Sequence, residues 1–212
     1  MRDLSGYCNR HGGETAYLYG KGISFEQHDR SKDGPLRVCV NDTSHHVEDA
    51  TYLFMHQQGA PQEHFPIEEM IVAEAVAKSP RIVTVLQSSL SEMALRHTER
   101  VVSYEKEFRY IALDRDHIRE TNSLFARICT ASSAIHFLHY AGVHRVEMIG
   151  FDGIYQRTRY DRLFPLCKDF SDAMTEQDGD YAGARNIAYR RSRQQIENLG
   201  HALGMQLIFT EA

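Results

Sequence analysis

The sequence predicts an α/β fold: a mostly parallel, Rossmann-like sheet with helices on both faces. Three observations carry this expectation. Short apolar runs rich in β-branched and aromatic residues recur along the chain. Helical patterns separate several of them, as the crossovers between parallel strands require. The residues that end the runs are small or polar again and again, as at the ligand-facing strand ends of open α/β sheets.

The elements follow in order. A first strand at 16–19 runs into Gly20, Lys21 and Gly22, and a short helical stretch begins at Ser24 and reaches Asp29. A second strand at 36–40 ends in Asn41, Asp42 and Thr43, and a third at 51–55 ends in His56 and two glutamines. Pro66 opens a helix that Pro80 closes, since proline suits the first helical turn and cannot continue the last one. A fourth strand covers 81–86. The charged stretch 90–122 has a weaker pattern, with short strands expected at 101–104 and 108–113. A helix over 131–140 stops at Gly142, and a strand at 143–149 ends in Gly150, Phe151, Asp152 and Gly153. Residues 154–180 are polar and aromatic without a period, which reads as a long excursion or lid. A final helix at 184–202 precedes a last strand at 205–210. With no repeat and no linker-like stretch, residues 1–212 read as one nucleotide-binding domain.

Composition narrows the function classes. The chain has 212 residues, 42% hydrophobic and 25% charged, which excludes a disordered or collagen-like chain. A formal charge of −5 argues against general nucleic-acid binding, which needs a basic footprint. No apolar run approaches the length that spans a bilayer, and the first residues lack the apolar core of a secretory leader. Four widely spaced cysteines without a Cys-x-x-Cys pair point to a reduced, cytoplasmic protein. Cys8 and His11 have zinc-ligand spacing, but no second pair follows. A homo-oligomer is compatible with this composition, which does not set the oligomeric state.

The strand ends supply the candidate site. Gly20, Lys21, Gly22 and Ser24 lie between a strand and a helical stretch, where backbone amides favour an anion and Lys21 adds charge; the same glycines also suit a tight turn. The full dinucleotide fingerprint and the Walker A spacing are both absent. Asn41 carries an amide able to read a ribose or a base edge, or to cap its strand. Thr130, Ser132 and Ser133 open a helix, where hydroxyls either cap it or join its amides in holding phosphate. Asp152 ends a buried strand, fit for a ribose, a metal, or an Asp-Gly turn. Tyr155, Arg157, Arg159, Tyr160 and Arg162 combine phenols and guanidinium forks that suit a phosphate or carboxylate. Arg185 is the arginine nearest the start of the last helix. His45, His46 and His56 include candidates for a general base.

These residues also resemble a known group. Residues 17–24, Tyr-Leu-Tyr-Gly-Lys-Gly-Ile-Ser, resemble the Gly-x-Gly-x-Ser opening of bacterial sialyltransferase-like proteins and of the related 6-hydroxymethylpterin diphosphokinase-like (MAF flagellin-associated) family. Residues 38–42 resemble their second strand with its Asn, and 130–153 resemble their helix-then-strand block ending in Gly-x-Asp. The final helix and strand are similar too, so the resemblance follows most of the chain in order. It implies a glycosyltransferase-like enzyme holding a nucleotide-sugar donor without an essential metal. Gly20, Lys21, Gly22 and Asn41 then meet the nucleotide, and Thr130, Ser132 and Ser133 meet phosphate or ribose. Tyr155 and Tyr160 help the leaving phosphate depart. The sialyltransferases carry a catalytic His shortly before the last helix, where this chain has Ala184 and Arg185. The diphosphokinase-like relatives imply a second expectation: a nucleoside triphosphate with Mg²⁺ held by Asp152 and Asp42. The missing His leaves a third, a non-catalytic nucleotide-binding module.

Overall fold

The computed structural model describes residues 2–56, 65–109, 113–154, 156, 162–163 and 181–211. Eight strands form one sheet, and every pairing in it is parallel. They are β1 (Thr15–Tyr19), β2 (Arg37–Val40), β3 (Tyr52–Met55), β4 (Val83–Gln87), β5 (Val101–Glu107), β6 (Ser123–Phe125), β7 (Arg145–Ile149) and β8 (Gln206–Phe209). The helices among the described residues include α1 (Ser24–Gln27), α2 (Phe65–Lys78), α3 (Ser91–Ala94), α4 (Arg115–Thr121), α5 (Thr130–Tyr140) and α6 (Tyr181–Ala202). The expected Rossmann-like α/β class is what the chain adopts.

Strand alternation divides the core between the two faces of the sheet. Ala16, Leu18, Val38, Val40, Tyr52, Phe54, Val85, Val102, Val146 and Met148 point to one face, under α4, α5 and the second half of α6. Tyr19, Cys39, Leu53, Met55, Leu86, Val101 and Ile149 point to the other, under α1, α2 and α3. Because both faces are covered, the central strand β3 is apolar without interruption, and all four of its residues are buried. Helix α5 is buried along almost its whole length, and only His139 among its residues is not. Ala131, Ser132, Ser133 and Ala134 keep its first turns slim. Phe137 then fills the space beneath it, packing edge-on against Tyr52 and Phe54 at ring separations of 5.1 and 5.3 Å.

The order of the strands is β6-β5-β4-β3-β2-β1-β7-β8. From β1 the chain builds outward through β6, and α5 then carries it back to the other side of β1. The topological switch point therefore lies between β1 and β7, whose registers match over five pairs from Thr15↔Arg145 to Tyr19↔Ile149.

Several elements differ from the sequence expectation. The strand expected at 101–104 continues to Glu107 as β5, and the described residues of the second expected strand, 108, 109 and 113, are not in a strand. Helix α4 and the three-residue strand β6 occupy a region with no clear pattern. The stretch after Ser24 is helical for four residues only, and the last helix starts at Tyr181 rather than 184. Most of the expected 154–180 excursion lies outside the described residues. No helix among them is long and apolar enough to cross a membrane.

Candidate functional site

The switch point is built by a clasp between the loops that follow β1 and β7. The Gly20 amide donates to the Ile149 carbonyl at 2.7 Å, and the Gly22 amide donates to the Gly150 carbonyl at 2.7 Å. The Ser24 amide donates to Asp152 Oδ2 at 2.9 Å, and the Gly150 amide donates back to Ser24 Oγ at 2.9 Å. This packing explains the glycines: a Cβ on Gly20 or on Gly22 would lie 2.7 Å from the Gly150 carbonyl oxygen, well inside van der Waals contact. The amides of 20, 22 and 24, which the sequence offered as a phosphate cradle, are turned toward the β7 loop. Ser24 and Asp152 act as the two halves of the clasp.

Beside the clasp, Lys21 forms an ion pair with Asp42, whose side chain is fully buried. Burying a carboxylate is tolerable only with such a partner. Asn41 adopts a left-handed conformation, φ 53°, a region that asparagine tolerates better than most side chains. Its Oδ1 lies 3.5 Å from Thr130 Oγ1 at the start of α5. The ends of β1, β2 and β7 and the first turn of α5 thus meet at one end of the sheet.

A second polar cluster sits further along the same edge. His56 follows β3 and its Nε2 lies 2.8 Å from Ser133 Oγ. Its ring packs 5.9 Å from that of Tyr104 on β5. Burial, reinforced by Lys106, holds the His56 imidazole down to about 3, so it is neutral at pH 7 and is no proton shuttle there. Burial also lowers Lys106, against the pull of the buried Glu68. Ser132 Oγ donates to the Cys129 carbonyl at 2.7 Å, and Ser133 Oγ donates to the Phe125 carbonyl at 3.1 Å. Both serines are fully buried; the Ser132 bond closes the start of α5, and the Ser133 bond ties α5 to the end of β6.

His46 Nε2 donates to the Leu163 carbonyl at 2.6 Å, and His45 pairs with Glu74 at 3.2 Å. Arg162 pairs with Glu26 at 2.5 Å. Arg185 lies over the Tyr189 ring at 5.9 Å, near the stretch of α6 where Arg190 backs onto Gly153. Tyr155, Arg157, Arg159 and Tyr160 lie outside the described residues. His11 does not join Cys8: its ring nitrogens contact Glu14 and Tyr52, while Arg119 approaches Cys8. Among the described residues no group of three metal-binding side chains converges.

Sequence reasoning missed the Lys21–Asp42 pair, the His56–Ser133 pair and the grip of α5 on Phe125. Each joins residues 21 to 77 positions apart or rests on β6, which has no periodic signal of its own. An open cleft of about 710 Å³ lies at the opposite end of β2, β3 and β4, lined by Gly34, Arg37, Asp49, Thr51, Ser79 and Arg81. Arg37 is held there by the carbonyls of Gly34, Glu48, Arg30 and Asp33.

Fold and switch point define the class: an all-parallel, Rossmann-like α/β protein with its strand order reversing between β1 and β7. Comparison with protein-family models, with curated proteins and with solved structures finds no match to this chain.

Proposed function

We propose that this chain is a nucleotide-dependent transferase of glycosyltransferase type, holding a nucleotide-sugar donor at the C-terminal end of the sheet. The observation that carries the reading is the strand-order reversal between β1 and β7, with Lys21, Asn41, Thr130 and the 150–153 loop gathered around it. Parallel sheets present their ligands at such a reversal. The clasp moves the proposed ligand-facing rim outward, from the glycine amides to Lys21, Asn41 and Thr130. In this reading Lys21 faces the phosphates while neutralising Asp42, and the Asn41 amide reads the ribose or base. The resemblance adds Tyr155 and Tyr160 as donors to the departing phosphate, and the guanidinium chemistry of Arg157 and Arg185 adds further anion contacts. Catalysis then rests on positioning donor and acceptor and on stabilising the leaving group.

One observation favours a second reading, Mg²⁺-dependent phosphoryl transfer. Asp152 Oδ1 is buried and has no hydrogen-bond partner among the described residues. A carboxylate oxygen of this kind fits a hard cation, although Asp42 is already neutralised by Lys21. Asp152 would hold the ion, which would supply charge neutralisation at the polyphosphate.

A thermal-shift series with CMP, CDP, UDP, GDP and ATP, each with and without Mg²⁺, separates the two. A ligand at 100 times its Kd adds about 2.7 kcal/mol of stability. For a chain of this length that is a rise of roughly 5–10 °C. A metal-independent rise with a pyrimidine nucleotide is the expected result. A rise only with ATP plus Mg²⁺ selects phosphoryl transfer, and no rise with any nucleotide overturns both.

A further inference from the structure

Helix α5 grips the main chain of a single residue at the end of β6 with three of its side chains. Ser133 donates to the Phe125 carbonyl at 3.1 Å, and Ser132 shares its single hydroxyl proton between the Cys129 carbonyl at 2.7 Å and the Phe125 carbonyl at 3.3 Å. His136, one turn further on, accepts the Phe125 amide on Nδ1 at 2.9 Å. All three side chains are fully buried, as is Phe125. The two serine bonds are indifferent to pH. The histidine bond is not, because an imidazole accepts on Nδ1 only while that nitrogen is bare.

We infer that His136 is an acid-released latch: opening of the α5–β6 contact takes up a proton on Nδ1, so the contact loosens as the medium acidifies. The groups around the ring oppose its protonation in place. His139 on the same helix and His117 on α4 each disfavour a second positive charge, while the Leu113 main chain is the one group that favours it. His117 in turn lies 3.8 Å from Glu107 at the end of β5. Burial is the largest influence and keeps the ring neutral, with its proton affinity down to about 3. A proton therefore enters only when the helix parts from the strand and the ring reaches water, where histidine binds protons below about pH 6.5. The same helix begins at Thr130, beside Asn41, so the latch also holds one wall of the switch-point site. It does not depend on what that site binds.

Hydrogen exchange of the Phe125 amide tests this directly. Asn at position 136 presents Oδ1 where Nδ1 stands and accepts at every pH, so His136→Asn keeps the bond and removes the titration. After correction for intrinsic exchange, protection of the Phe125 amide in the wild-type chain should fall below about pH 6 more steeply than in the variant, by tenfold per pH unit. That difference corresponds to one proton taken up on opening. Equal slopes in the two proteins would overturn the latch. The ring itself gives an independent reading that needs no variant: ¹⁵N shifts in the folded chain should show a bare Nδ1 and a protonated Nε2 from pH 7.5 to pH 5. A ring protonated on Nδ1, or one titrating near pH 6.5 in the folded state, would contradict the inference.

Discussion

At the scale of single residues, the switch point is explained by close approach and by charge. Gly22→Ala forces a Cβ against the Gly150 carbonyl oxygen, and neither loop can retreat without breaking the clasp. The expected cost is about 1–3 kcal/mol, read as a lower denaturation midpoint in urea. Lys21→Met removes the partner of a fully buried carboxylate. It should destabilise by about 3–5 kcal/mol, and adding Asp42→Asn should recover a large part of that loss. Additive losses in this double-mutant cycle would show that the pair is not a unit. Asn41 separates structure from recognition. Asn41→Gly keeps the left-handed backbone, so its stability should stay within about 1 kcal/mol of wild type. Loss of the amide should nonetheless weaken nucleotide binding, measured by calorimetry, at least tenfold, as expected when a polar contact worth about 1.4 kcal/mol or more is removed.

At the scale of elements, α5 sets the response to acid. His56 and His136 are buried and held down to about 3, and His139 to about 4, with burial the first cause in each case. Their folded-state affinities lie below the unfolded value near 6.5, so the unfolded chain binds more protons in acid. Stability is therefore unaffected by these groups above about pH 7. It falls as pH drops from about 6.5 toward 3, by about 1.4 kcal/mol per pH unit for each fully buried ring. Melting temperatures between pH 8 and pH 4.5 should be flat and then decline; a chain equally stable across that range would contradict the neutral, buried assignment.

The elements also show what was legible in the sequence. Strand β3 and residues 38–40 of β2 are unbroken apolar runs because both faces of the sheet are covered, and such runs announce themselves. Gly142, with φ 89°, ends α5 where the sequence places the stop. Strand β6 carries no such signal: it is three residues long and is fixed by its pairing with β5 and by α5. The glycine loop was legible in position but not in cause. Its amides satisfy the β7 loop 128 residues away, as between Ser24 and Asp152, a long-range contact that local spacing does not encode. The hydroxyl of Ser133 misleads for the same reason, since it looks like part of an open helix start and is used against Phe125, whereas the shorter bond of Ser132 stays at the helix start with Cys129.

At the scale of the whole molecule, the sheet has two ends with different properties. At the C-terminal end of the strands, the reversal between β1 and β7 gathers Lys21, Asn41, Thr130 and Asp152. At the other end lies the cleft of about 710 Å³ beside Arg37 and Arg81. In the proposed function, a nucleotide binds at the first of these. Titrating ¹⁵N-labelled protein with CMP and mapping the amide shifts tests it most directly. Perturbations should be confined to 20–24, Asn41, Thr130 and 150–153. Perturbations centred on Asp49, Thr51 and Arg81, or none at millimolar CMP, would contradict it.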